Sequence, residues 1–295
     1  MTKKLILCLA GGLGNQLFQY FFGFSASKET NREFIIDNKT GFKTDYVFKR
    51  TFEIPLVDET KIKSHTKNFI FLRLVKKIFK INYFKLFNNI YISEEKLLED
   101  KSFLVKNDTI KNIFILGNFQ DENYFKKNKF EIIKTIQFDK VQNIDLIEKI
   151  KKINVEKTIA IGVRMFEEIA DEKKNDVGGI EDISFYKDAI ETFKKKIQNP
   201  KFVIFSTDQY NFFDDLKIKK EDVIFINRKT TKYNSLEKLK LMSSFKNFII
   251  SNSSFYWWAA YLSEMKFNKI NIIVSKKFFN KKTIPERWNP NLLES

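Results

Sequence analysis

The stretch Lys4–Gly23, KLILCLAGGLGNQLFQYFFG, sets an apolar run, a glycine-rich turn and an aromatic-rich segment end to end. Leu5–Ala10 reads as a buried strand, and residues 15–31 read as the helix that follows it. A strand, a glycine turn and a helix in this order open a Rossmann-type unit. The free N–H groups and dipole of a helix N-terminus attract anions, and glycine lets the backbone approach a ligand closely. Gly11, Gly12, Gly14, Asn15 and Gln16 are therefore candidate substrate-binding residues. Asn15 offers a neutral side-chain donor there; as an alternative it caps the helix. A dinucleotide fingerprint starting at Gly12 would need glycine where Leu17 stands, yet Asp37 closes the second strand about where a ribose-binding acid belongs. An NAD-type oxidoreductase stays open at this point.

Short runs rich in Ile, Val and Phe recur along the chain: LILCLA, EFIID, NIFILGN, TIAIGVR, KFVIFSTD, DVIFIN, NFIISNSS and INIIVS. Between Ser184 and Gln198, Tyr186, Ala189, Ile190, Phe193 and Ile197 share one helical face, so the runs on either side are parallel strands. Residues 236–245 supply another helix before NFIISNSS. From about Lys39 to Lys106 the periodicity is lost, and the stretch reads as irregularly packed helices with one basic amphipathic segment that can rest on a membrane or line a cleft. The α/β pattern restarts at Thr158 after the lysine-rich LIEKIKKINVEK. These features predict an α/β fold in two domains, an N-terminal one over 1–155 and a C-terminal one over 156–295.

The chain of 295 residues carries 53 Lys and Arg against 37 Asp and Glu, a net charge of +16. Such a balance fits nucleic acid, an anionic membrane surface, an anionic small substrate, or simply a lysine-rich composition. Cys8 and His65 are the only residues of their types, which excludes an intrachain disulfide and a Cys/His zinc cluster. A Ser-His-Asp triad is excluded too unless His65 builds it. No helix-turn-helix, zinc or ribonucleoprotein motif supports a nucleic-acid partner. No apolar stretch approaches the roughly 20 residues of a membrane span. The chain is expected to be cytoplasmic, with peripheral association at the inner membrane through its basic first half.

Three later segments carry chemistry. IAIGVRMFEE ends a strand on Arg164, whose planar fork suits a diphosphate in the crevice at the carboxyl ends of parallel strands. Glu167 and Glu168 follow within reach, as candidate bases or as solvated loop charges. FVIFSTD places Ser206, Thr207 and Asp208 at another strand end. There an acid can accept two hydrogen bonds from guanine, or cap the next helix. IISNSSFYWWAAYL runs from a buried strand through Ser251, Asn252, Ser253 and Ser254 into an aromatic helix, a second anion site, with Trp257 and Trp258 read as core.

Together these segments resemble the bacterial alpha-1,2-fucosyltransferases of glycosyltransferase family 11. GGLGNQLFQYFFG looks like that family's N-terminal hallmark, FSTD like its Ser-Asp-Asp strand end, and GNFQDENYF like its Gly-Tyr-x-Gln-x-x-x-Tyr-Phe segment. KLKLMSSFKNFIISNSSFYWWAAYL resembles its most specific motif. Where the family carries His-x-Arg-Arg-Gly-Asp, this chain has Gly162, Val163, Arg164, Met165, Phe166 and Glu167.

The resemblance implies a GT-B-like pair of Rossmann-type domains facing across a cleft, with the N-terminal one on the acceptor side. It implies transfer of fucose, with inversion, from GDP-fucose to the 2-hydroxyl of a galactose-terminated oligosaccharide or lipid-linked glycan, in surface polysaccharide or lipopolysaccharide synthesis. Neither a cofactor nor a metal is implied. In this frame Arg164 stabilises the leaving phosphate, Glu167 or Glu168 takes the acceptor proton and Asp208 holds guanine. Ser206 and the 251–254 run complete the donor site, and Asn15 with the glycine turn contacts donor or acceptor sugar.

Overall fold

The computed structural model describes residues 2–288 except 44, 46–48, 101, 141, 142, 209, 228 and 279. The chain divides into two compact units, Met1–Gln137 and Phe138–Ser295.

The first unit runs β1 (Lys4–Cys8), α1 (Leu13–Glu29), β2 (Glu33–Asp37), α2 (Thr40–Lys43), α3 (Thr66–Phe79), β3 (Tyr83–Leu86), β4 (Asn89–Ser93), α4 (Glu94–Glu99), α5 (Phe103–Lys106), β5 (Asn112–Leu116) and α6 (Lys129–Ile133). Its sheet has the order β2-β1-β5-β4-β3, parallel except for the β3/β4 pair. Leu5, Ile6, Leu7 and Cys8 of β1 are all buried, as a strand covered on both faces must be. Helix α1 is buried almost all round, because Phe18 and Phe21 pack on Phe125 and Phe22 stacks on Phe119 at 3.7 Å on one side, while Tyr20 packs on Phe34 at 5.7 Å on the other. A helix apolar on every side belongs inside a domain.

The region read as irregular helices, 39–106, holds the helices α2 to α5, and between α3 and α4 it also holds a β-hairpin. Tyr83 pairs with Ile92 and Leu86 with Asn89, and Phe87 takes a left-handed conformation (φ 51°) in the turn. No glycine marks this two-residue turn, which is why the hairpin was hidden; Phe87 and Asn88 form it, and Asn89 already belongs to β4.

The second unit contains α7 (Ile144–Lys151), β6 (Thr158–Gly162), α8 (Ile183–Lys196), β7 (Lys201–Phe205), β8 (Val223–Ile226), α9 (Ser235–Met242), β9 (Asn247–Ile250), α10 (Ser254–Phe267) and β10 (Asn271–Val274). Its five strands are all parallel in the order β10-β9-β6-β7-β8. This is the doubly wound order, with its reversal between β6 and β9. Asp182 caps α8 by accepting from the Ser184 and Phe185 N–H groups, and Asn234 with Glu237 forms a capping box on α9. In α10, Trp257, Trp258 and Tyr261 are fully buried, and the Trp257 indole donates to the Thr283 carbonyl at 2.7 Å. Truncating such a tryptophan costs about 3–5 kcal/mol.

Helix α7, which the sequence assigns to the end of the first domain, falls in the second unit. Asn143 Nδ2 donates to Glu237 at 3.1 Å, and Lys149 donates to the Tyr233 hydroxyl at 2.9 Å. The division therefore comes at Gln137, before the lysine-rich helix rather than after it.

Candidate active site

Two constellations sit at the carboxyl ends of strands, one in each unit. In the first, Gly11 leaves β1 with φ 78°, a conformation that glycine adopts without strain. A Cβ there would lie 2.8 Å from Asn15 Nδ2. Gly12 is the N-cap of α1 and brings no side-chain bond to it. Asn15 lies inside the helix and does not cap it; its Oδ1 accepts from Gln120 Nε2 at 3.0 Å.

Gln16 is fully buried. Its amide donates to the carbonyls of Gly11 and Thr51, both at 2.9 Å, and accepts from the Glu53 N–H at 2.9 Å. With both amide protons engaged, Gln16 shapes the turn and has no donor left for a ligand.

Gln19, which sequence reasoning passed over, does the same between strands. It accepts from the Ala10 N–H at 2.9 Å and donates to the Gly117 carbonyl at 3.1 Å, clamping the ends of β1 and β5 together. An amide on an otherwise apolar buried helix was the available signal. Arg50 was missed as well: its guanidinium lies over Gly12, where a Cβ would be 3.6 Å from its Nε. Burial lowers the pKa of Arg50, with Asp45 and Glu53 opposing the shift.

Asp37, the acid that a dinucleotide site would turn toward ribose, is fully buried. Its carboxylate accepts from the N–H groups of Lys39, Thr40 and His65 and from the Thr40 hydroxyl, at 2.7 to 2.9 Å. Four donors inside the chain already use it, so the oxidoreductase reading loses its ribose contact.

The segment GNFQDENYF builds the neighbouring strand end. Phe119 turns with φ 55° and stacks on Phe22, Gln120 reaches Asn15, and Asp121 accepts from the Asn123 N–H to start a 3-10 turn.

The second constellation occupies the β6/β9 reversal. Ser251 is buried; its hydroxyl donates to the Gly162 carbonyl at 3.0 Å and accepts from the Arg164 N–H at 2.9 Å. The buried Tyr256 hydroxyl shares its proton between the carbonyls of Val163 and Phe205. Gly162 has no room for a side chain, since a Cβ would meet the Tyr256 ring at 2.5 Å. The backbone that presents Arg164 is thus fixed from two sides.

The Arg164 side chain stacks on Phe166 at 4.6 Å and pairs with Glu167 at 3.1 Å and with Glu168. Arg164 is therefore in contact with both of the acids expected to share its chemistry. Phe166, at φ 49°, makes the bend that folds the two acids back onto the guanidinium.

Beside this cluster lies the start of α10. Ser253 is its N-cap and Ser254 its first residue, both half-buried, with no capping bond from the Ser253 side chain. Asn252 donates instead to the Val177 carbonyl at 2.6 Å, which ties the loop after β6 to the end of β9. Farther along that loop, buried Glu181 accepts from the Ser275 hydroxyl at the end of β10.

At the end of β7, the Ser206 hydroxyl donates to the Asp208 carbonyl at 2.6 Å. Asp208 caps no helix: the 3-10 turn Asn211–Leu216 begins after Tyr210. Its half-exposed carboxylate faces Lys229 at 3.0 Å. Buried Asn227 accepts from the Lys229 and Thr230 N–H groups and so shapes the loop carrying that lysine. Neither Lys229 nor Asn227 was singled out from sequence, where they follow a strand with no motif around them.

The family model of glycosyl transferase family 11 matches residues 6–289. The chain belongs to this family. It is 28% identical over 260 residues to an alpha-1,2-colitosyltransferase of Escherichia coli, covering 86% of each chain. It is 23% identical over 293 residues to the O-antigen biosynthesis glycosyltransferase WbnK of Escherichia coli, covering 92% of this chain and 94% of that one.

Among solved structures it shares the fold of Arabidopsis thaliana FUT1, determined as a mutant in complex with GDP (TM-score 0.55, 14% identity, 97% and 73% coverage). It also shares the fold of the fucosyltransferase NodZ from Bradyrhizobium (TM-score 0.51, 15% identity, 89% and 92% coverage). The fold is that of GT-B-like fucosyltransferases, and the chain is a family 11 glycosyltransferase. Among the described residues, no helix is long and apolar enough to cross a membrane, and no group of three or more His, Cys, Asp or Glu side chains could hold a metal ion.

Proposed function

We propose that the chain transfers fucose, with inversion, from GDP-fucose to the 2-hydroxyl of a galactose-terminated glycan during surface polysaccharide synthesis. The observation that carries this reading is that Arg164, whose N–H donates to Ser251 at the end of β9, shares the reversal of a doubly wound sheet with the start of α10. A guanidinium and a helix N-terminus together offer a diphosphate both charge and directed N–H groups. Asp208, at the end of the neighbouring strand β7, supplies the carboxylate that selects guanine. The diphosphate charge is then met by protein groups, without a metal or other cofactor.

In the free chain Glu167 and Glu168 occupy the Arg164 guanidinium. An arriving diphosphate competes for it and releases a carboxylate. The acceptor hydroxyl then attacks the anomeric carbon as the bond to the phosphate oxygen breaks. GDP leaves with the electron pair, and the freed carboxylate takes the proton. The first unit serves the acceptor, with Asn15, Gly11, Gly12 and Gly14 lining its sugar site and Arg50 adding positive charge.

Colitose in place of fucose is the second reading, favoured by the named activity of the 28% identical relative. Incubation of the chain with the GDP-activated form of each sugar and a panel of β-galactosides, followed by linkage analysis of the products, tests both. An α-1,2-linked product supports the reading, and its sugar decides between fucose and colitose. Absence of transfer and of donor hydrolysis with both donors would overturn it.

A further inference from the structure

Half of the chain's net charge is concentrated in one short region. Between Thr60 and Glu94 there is no acidic residue, while eight Lys and Arg lie there, against a net charge of +16 for the whole chain. The same region carries nine of the fifteen exposed large hydrophobic residues among those described.

Helix α3 explains how this comes about. Phe69 and Leu72 point inward and pack with Ile6, Ile35, Tyr91 and Phe114. On the opposite side Ile70, Leu74 and Ile78, spaced by four, are 54%, 53% and 60% exposed. The helix is therefore apolar on two faces with only one covered, and an apolar face of this kind calls for a partner. Phe71 meets Phe84 at 5.6 Å, which joins α3 to the β3/β4 hairpin. At the hairpin turn Phe87 stands 85% exposed. Lys67, Lys77, Lys80 and Lys85 are exposed around these apolar residues.

We infer that this face docks the protein onto an anionic lipid bilayer. The apolar stripe and the Phe87 tip enter the boundary between headgroups and acyl chains while the lysines meet lipid phosphates. A second copy of the chain is a poor occupant, because the same patch would set like charges against each other. Nucleic acid would use the lysines but leave Ile70, Leu74 and Ile78 without a role, since these side chains neither stack nor hydrogen-bond. The inference goes beyond the proposed reaction and does not depend on the donor, because binding is measured without any sugar nucleotide.

The test is sedimentation of the full chain with phosphatidylcholine vesicles and with vesicles containing phosphatidylglycerol. Two triple variants accompany it: Ile70→Ser with Leu74→Ser and Ile78→Ser, and Lys67→Glu with Lys77→Glu and Lys80→Glu. All altered side chains are exposed, and an unchanged thermal midpoint confirms folding. The expected result is retention on the anionic vesicles alone, reduced at high salt, with at least about a tenfold loss of partition in each variant. Absence of wild-type binding, equal binding to neutral vesicles, or variants that bind like the wild type would overturn the inference. So would complete displacement by duplex DNA with the serine variant unaffected.

Discussion

The two strand-end constellations use polar residues in opposite ways. At the glycine turn of the first unit, Gln16 and Gln19 donate to and accept from the backbone, and Asn15 meets Gln120. The turn is held by neutral amides that stay inside the unit. At the β6/β9 reversal, the neutral groups Ser251 and Tyr256 fix the backbone, while Arg164 pairs with both Glu167 and Glu168. Such a cluster can exchange partners when an anion arrives, whereas a buried amide cannot give up its bonds without cost. One motif thus encodes a shape and the other encodes charge that can be redirected.

The largest expected effect falls on the charged cluster. Arg164→Lys keeps the charge but loses the planar fork, and should lower kcat by about a hundred- to a thousandfold. Its urea midpoint should move little, as measured by steady-state kinetics beside equilibrium unfolding. Gln16→Leu should do the reverse. It leaves the Gly11 and Thr51 carbonyls and the Glu53 N–H without their partner, and should cost about 2–4 kcal/mol in urea unfolding. If Gln16→Leu instead lowered kcat at unchanged stability, the contrast between the two sites would break.

Asp208→Asn sharpens the contrast within the second unit. The variant should raise KM for the guanine nucleotide donor by about tenfold with kcat nearly constant, because a neutral amide no longer matches both guanine donors. The smallest effect is expected at the end of β1. Burial pushes the Cys8 thiol up to about 12, with Asp37 adding to the shift, so alkylating reagents at pH 8 should label Cys8 only in denaturant. Because the native pKa lies above that of the unfolded thiol, this contribution to stability is intact below about pH 9. It declines between about pH 9 and about pH 12, where only the unfolded chain ionises.

The strands whose residues are apolar on both faces were legible, since runs such as EFIID and KFVIFSTD leave few alternatives. Helix α8 was legible too, from the spacing of its four buried residues Tyr186, Ala189, Ile190 and Phe193. The β3/β4 hairpin was not, because Tyr83, Lys85 and Leu86 are exposed on an edge strand and break the alternation of a half-buried one.

At the sites, Arg164 and the two glutamates could be picked out by type and position, but the contact of both acids with Arg164 depends on the bend at Phe166, which no propensity marks. Arg50 and Lys229 reach the sites from loops distant in sequence, and spacing alone carries no record of such approaches. Asp37 shows the converse: a well-placed acid whose neighbours in space had already claimed it.

The most direct test of the central claim, that the β6/β9 reversal grips a guanine nucleoside diphosphate through Arg164, is calorimetric titration of GDP in the presence of a chelator. Wild type and Arg164→Ala would be titrated side by side, with ADP and UDP as comparisons. The account predicts that wild type binds GDP in preference to ADP and UDP without metal, and that Arg164→Ala loses most of that affinity while remaining folded. Equal affinity of the two proteins for GDP would contradict it.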